Sequence, residues 1–318
     1  MYRGLFAALF LATPTVAGEL TLIPPIDCDL AGDCYIQQYV DHDPGPGNED
    51  FACTGLSYDG HRGTDFALPT LARMAKGVSV IAAAPGIVSS VRDGMPDTGY
   101  SADTARAIEG RECGNDIVVV HDDDWETQYC HLRKGSITIT KGQKIETGQI
   151  LGAVGMSGRA QFPHVHLSVR HKGTVIDPFD PDDEVICNFL DTDTLWGTPP
   201  PFRPAGVITV GITAAMPDYD IVKAGTAPVP DIQSASLVFF ANIFGARTGD
   251  RLLLSLQGPE NEIVAKTIKM ERDQATSFRG IGRKRRSDPW PAGLYTGTAV
   301  LRRKGAVIEE RSITTTLN

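Results

Sequence analysis

Through residues 58–180, apolar and polar positions alternate in short runs separated by glycine-bearing turns. The runs "GIVSSVR", "NDIVVVHD", "TQYCHL" and "VHLSVR" carry stretches of the period-2 pattern of half-buried strands. Gly142, Gly148, Gly152, Gly155 and Gly158 punctuate the stretch between them and predict tight turns joining very short strands. Residues 94–112 break the pattern and predict a polar loop with a short helix around "ADTARAIEG". The intervening "DDDWE" predicts a hairpin turn, so "NDIVVVHD" and "TQYCHL" should run antiparallel. "GTPPPFRP", from residue 197, reads as a stiff proline-rich linker. Beyond it, strands are expected at 207–213, 236–244, 251–258, 262–270, 293–303 and 306–315, with turn signals between them that suit an immunoglobulin-like β-sandwich. The expected fold class is all-β: an antiparallel β-sheet domain followed by a C-terminal β-sandwich.

Composition refines this picture without changing it. A chain of 318 residues suits two domains, and 33 glycines with 21 prolines favour turns over helical bundles. The formal charge of −9 argues against a nucleic-acid partner. The run Arg283-Lys284-Arg285-Arg286 interrupts this balance and is expected in a solvated loop. Residues 1–18 hold Arg3, an apolar core and small residues near Ala17 and Gly18, the pattern of a cleaved secretory signal. That stretch is short for a membrane span and has no cysteine at the cleavage site, so no membrane anchor is expected. The remaining boundaries are expected at 19–57 for a cysteine-containing N-terminal segment, 58–196 for the sheet domain, 197–205 for the linker and 206–318 for the sandwich.

Six cysteines, at 28, 34, 53, 113, 130 and 187, follow the signal, and an even count in an oxidising compartment implies disulfides. Fifteen pairings are possible in principle. One is specific: Cys113 precedes the first hairpin strand and Cys130 lies on the second, which makes them neighbours in an antiparallel pair.

The chemistry concentrates in histidines. Five of the seven fall between positions 121 and 171. In "QFPHVHLSVR", His164 and His166 stand two apart and share one strand face, roughly 7 Å from each other. In "DGHRGTDFALP", His61 and Asp65 are four apart, and the glycines make a turn leading into a strand more favourable than a helix. His131 ends the run "TQYCHL". Imidazole and carboxylate both suit zinc, and a catalytic zinc keeps one position open for water. Each fragment alone fits a surface loop or a polar strand face equally well or better. His121 reads as structural, His42 and His171 as surface residues, and Asn115 as a turn hydrogen-bonder.

Taken in order, His-x-x-x-Asp, Tyr-x-His-Leu and Gly-x-Ser-Gly followed by Pro-His-x-His-Leu resemble the lysostaphin/LytM-type zinc endopeptidases over about residues 58–180. The resemblance implies Zn²⁺ held by His61, Asp65 and His166, with His131 and His164 acting on the zinc-bound water or the developing oxyanion. It also implies peptidoglycan peptide stems as substrate and hydrolysis of their cross-links; the export signal agrees with work outside the cytoplasm, and with no recognisable Gram-positive wall-binding module a periplasmic location is expected. Two positions depart from the family pattern: Phe162 replaces a usual glycine, and Ser168 and Val169 stand where an acidic residue is common. The competing expectations are a D-Ala-D-Ala carboxypeptidase with a related metal centre, and a non-catalytic cell-wall-binding or hydrolase-regulating protein. Some family members that have lost ligands act in the second way; here all five positions are present. The C-terminal sandwich is expected to be a binding or spacer module.

Overall fold

A computed structural model describes residues 20–184, 193–286 and 288–318. The expected signal segment, residues 1–18, and Cys187 lie outside the described residues. The strands up to residue 180 are β1 (Tyr35–Gln38), β2 (Thr64–Ala67), β3 (Ser79–Ile81), β4 (Gly86–Arg92), β5 (Asn115–Val120), β6 (Trp125–Leu132), β7 (Lys144–Ile145), β8 (Ile150–Ala153), β9 (His164–His171) and β10 (Thr174–Ile176). Two short helices join them, α1 (Leu71–Ala75) and α2 (Ala105–Ile108), the latter inside the loop expected to hold one. Eight strands form one sheet in the order β1-β2-β9-β6-β5-β4-β7, with β10 also paired to β9, while β3 and β8 pair separately. All these pairings are antiparallel.

The N-terminal segment is built into this sheet, since β1 pairs with β2 as its edge strand. The alternation in β9 explains why it sits near the centre. Val165, Leu167 and Val169 face one side and are fully or almost fully buried, each contributing roughly 1.5–3 kcal/mol by leaving water. His164, His166 and Ser168 therefore face the other side. The hairpin between β5 and β6 turns through Asp122–Asp124, and Cys113 and Cys130 form the expected disulfide with Cα atoms 4.8 Å apart. Cys28 and Cys34 form a second, and Cys53 is also disulfide-bonded.

After the linker come β11 (Gly206–Thr213), helix α3 (Tyr219–Ala224), β12 (Ser236–Ala246), β13 (Arg251–Gln257), β14 (Glu262–Lys269), β15 (Gln274–Lys284), β16 (Gly293–Arg303) and β17 (Ala306–Leu317). They make two antiparallel sheets, β11-β12-β15 and β14-β13-β16-β17. Phe239, Ala241 and Ile243 from the first share a core with Leu252, Leu254, Tyr295 and Ala299 from the second. β15 was not among the expected strands. Its stretch "QATSFRGIGRK" has only Ser277 and Ile281 fully buried and two glycines, so it lacks the apolar face that marks a strand. Pairing with the fully buried β12 forms it instead. Its end includes Arg283 and Lys284, so half of the basic cluster lies on a strand rather than in a loop.

The two parts are packed together. Ile208 and Phe244 of the sandwich belong to the same buried cluster as Phe66 and Val165 of the first sheet. Phe244 lies 4.9 Å from Tyr35, and Phe202 of the linker 5.7 Å from Tyr39.

Candidate metal centre

The register of β9 against β2 sets Asp65 directly opposite His166, and Ala67 opposite His164. Directly opposed residues share a face with Cβ atoms about 5 Å apart. His61 arrives from the turn preceding β2. That turn must pass close over β9: a Cβ on Gly63 would lie 2.6 Å from His166 Nε2 and 2.5 Å from the Leu167 carbonyl, so only glycine fits. On the other flank Cys130 of β6 opposes His166. The next residue, His131, should point to the opposite face. A register shift between Asn115 and Ile117 leaves Cys130 and His131 bulged, and His131 takes a φ of 64°. The bulge re-aims its imidazole towards the histidine face.

His61 Nε2, Asp65 Oδ1 and His166 Nδ1 converge, with separations of 3.3, 3.1 and 2.8 Å. Ligands about 2.0–2.1 Å from a tetrahedral zinc would be about 3.4 Å apart. The remaining ring nitrogens face away. His61 Nδ1 donates to the Tyr39 carbonyl at 2.6 Å, and His166 Nε2 donates to Ser168 Oγ at 3.0 Å, which itself donates to the Arg62 carbonyl at 2.7 Å. Each imidazole thus turns its other nitrogen to a buried carboxylate, an arrangement that repels itself unless positive charge lies between the three. His61, Asp65 and His166 are the metal-capable group among the described residues. The donor set fits zinc in type, number and spacing.

His131 and His164 complete the face. Each donates from Nδ1 to a backbone carbonyl at 2.8 Å, His131 to Ser157 and His164 to Phe162. Their rings lie 4.6 Å apart, and His164 Nε2 is 3.5 Å from Asp65 Oδ1. Phe162 stacks on His164 at 4.3 Å, so the residue that replaces glycine braces the ring.

Electrostatics separate these groups. Burial, then the neighbouring His164 and His166, push the His131 imidazole well below its usual range. Burial also lowers His166, against the pull of Asp65. For His61, burial works against the charge, but the Asp65 carboxylate outweighs it and the pKa rises. Burial would raise Asp65, yet the charges of His61 and His164 and the bonds from His166 and His61 hold it well below the carboxylate range. The same field that favours a proton beside Asp65 favours a cation there.

The remaining histidines do not join the face. His121 bridges the Pro85 carbonyl and Thr127 Oγ1, a structural role as expected. His171 stacks on Trp125 at 4.3 Å. His42 is not a surface side chain: it is 4% exposed and bonded to Asp177 and Asp183. Buried Asn115 bonds to Met95 and Leu132. Two contributors escaped the sequence reading. Ser168 was noted only as a departure, although i+2 spacing from His166 puts it on the ligand face. The Tyr39 carbonyl left no trace in the side-chain pattern.

The site opens into a cavity of about 790 Å³. Tyr35, Arg159 and Phe162 line one part, and Tyr219, Lys223 and Asn242 of the sandwich line another.

The antiparallel sheet thus carries a convergent His₂Asp donor set, able to hold a metal ion, beside two further imidazoles. Residues 59–178 match the model of peptidase family M23, a LytM-type domain match over that part of the chain. It is 32% identical over 117 residues to the peptidoglycan DD-endopeptidase ShyA of Vibrio cholerae, covering 37% of this chain and 22% of that protein. It is 28% identical over 124 residues to the murein hydrolase activator NlpD of Escherichia coli, covering 39% and 26%. The matches thus span about a quarter or less of these relatives. The catalytic domain of the prophage-encoded M23 protein EnpA from Enterococcus faecalis aligns at 24% identity and a TM-score of 0.33, over 52% of this chain and 97% of that one.

Proposed function

We propose that this protein is a zinc-dependent endopeptidase that hydrolyses peptide cross-links of peptidoglycan outside the cytoplasm. The observation that carries this reading is the convergence of His61, Asp65 and His166 within 3.3 Å of one another, with the remaining ring nitrogens of His61 and His166 anchored away. Zinc bound there would polarise the scissile carbonyl and acidify its water. His131, kept neutral by burial, takes a proton at Nε2, because its Nδ1 is committed to the Ser157 carbonyl. His164, oriented through Phe162, acts from the same side on the developing negative charge. The intact ligand set supports catalysis over a purely regulatory role. No helix among the described residues is long and apolar enough to cross a membrane.

The test is mass analysis of products from purified peptidoglycan, with and without a chelator. New amino termini within cross-links, lost on chelation and restored by zinc, are expected. Intact peptidoglycan after incubation with zinc-loaded protein refutes hydrolysis.

A further inference from the structure

We propose that the C-terminal sandwich is a fixed wall of the substrate groove, and that Tyr219 and Lys223 on α3 bind a carboxylate-bearing strand of the cross-linked peptide. This deepens the reading above and takes its ligand class from it.

Three observations carry the proposal. First, the cavity that holds His131 and His164 is closed on its far side by Tyr219, Lys223, Asn242 and Thr276, all from the sandwich. A ligand filling about 790 Å³ cannot touch the imidazoles alone. Second, this wall is held in place. α3 ends at Gly225, with a φ of 73°, where a Cβ would lie 2.8 Å from Thr70, the residue that caps α1. Phe244 and Ile208 extend the first domain's core into the sandwich. A module tethered by a linker would share neither contact. Third, the chemistry of the wall suits a charged peptide. Lys223 Nζ stands 5.0 Å from the Tyr219 ring centroid and 2.8 Å from Asp220. On the facing wall Arg159 lies 5.3 Å from the Tyr100 ring. Arg159 and Lys223, each over an aromatic ring, line the cavity together with Asp65 at the candidate metal centre and Asp220, and because Asp220 is 91% exposed a substrate carboxylate can compete with it for Lys223. Asn242 adds an amide whose Oδ1 is buried without a partner.

The experiment uses full-length Tyr219→Ala, Lys223→Glu and Lys223→Arg with a soluble cross-linked peptide dimer. Zinc content should match the unmodified chain. KM should rise about 10-fold for Lys223→Glu and Tyr219→Ala with kcat little changed, and Lys223→Arg should restore it, as for a lost charge-assisted contact. Unchanged KM in both loss variants overturns the proposal. Calorimetric binding of the same dimer to zinc-stripped full-length protein separates it from hydrolysis. Tight binding that Lys223→Glu weakens supports the wall even if nothing is cleaved. Equal binding by both proteins, or none by either, refutes it.

Discussion

Two buried histidine–aspartate clusters among the described residues are built differently. At the candidate metal centre, each imidazole has one nitrogen turned outward, to carbonyls of Tyr39, Ser157 and Phe162 or to Ser168. The inward nitrogens are left for something positive. In the second cluster, His42 directs both ring nitrogens at carboxylates, Nε2 to Asp177 at 2.9 Å and Nδ1 to Asp183 at 2.7 Å. Two carboxylates beside one imidazole favour the imidazolium form, which has no lone pair to offer. Residue composition does not distinguish the two; at the first, nitrogens of two histidines converge on one carboxylate oxygen, whereas a single His42 stands between two carboxylates.

The sharpest way to break this comparison is to remove one carboxylate from each cluster. Asp65→Ala should lose most of its zinc and its peptidase activity, while Asp177→Asn should keep near-stoichiometric zinc. Elemental analysis of the purified proteins checks both. Zinc retained in Asp65→Ala would remove that residue from the ligand set.

Next in size are the imidazoles that do not ligate. His131→Ala and His164→Ala should retain zinc and lose about 10²- to 10⁴-fold in kcat, the usual range for acid–base groups. Turnover near that of the unmodified protein, measured with zinc content in the same samples, would contradict the role given to that residue.

Ser168 offers a finer cut. Three of the four histidines on this face are oriented by backbone carbonyls, which substitution cannot remove. His166 is held by a side chain, through Ser168 to the Arg62 carbonyl. Ser168→Ala should weaken zinc affinity about 10- to 100-fold in chelator competition, and Ser168→Thr should recover most of it. Equal affinities for serine and alanine would mean that packing alone fixes the His166 ring.

How much of this was legible beforehand follows from where the information resides. The period-2 pattern of "HVHLSVR" determines that His164, His166 and Ser168 share a face, and "HRGTD" determines that a turn feeds Asp65 into a strand. Both are local. The register that puts Asp65 opposite His166 is not local, and only the ordered resemblance of the motifs singled out these residues together. The bulge at His131 was invisible because its cause, a two-for-one pairing against β5, belongs to the partner strand. β15 was missed for a related reason: pairing with the buried β12 forms it, and its own pattern does not. His42 looked like a surface residue because Asp177 and Asp183, more than 130 positions away, supply its environment.

The smallest expected effect concerns that second cluster and pH. Burial acts against the charge on His42, but its bonds to Asp177 and Asp183 outweigh this and the pKa is pushed up to about 9 from 6.5. A raised folded-state pKa stabilises most below the unfolded value, so this contribution is complete below about pH 6.5 and fades as pH rises through about 9. The facing acids act in the same direction, Asp180 at lower pH than His42. Burial raises both Asp177 and Asp180, Asp180 to about 6, so these two also hold protons more tightly when folded. Asp183 is 81% exposed, so solvent screening trims the gain to about 1–2 kcal/mol. Denaturant midpoints measured at pH 6.5 and 9.5 should therefore fall for the unmodified chain and fall less for His42→Gln. The variant should be the less stable of the two at pH 6.5 and close to the unmodified chain at pH 9.5. Parallel declines in the two proteins would show that His42 carries no extra proton and that the second cluster is held by neutral hydrogen bonds.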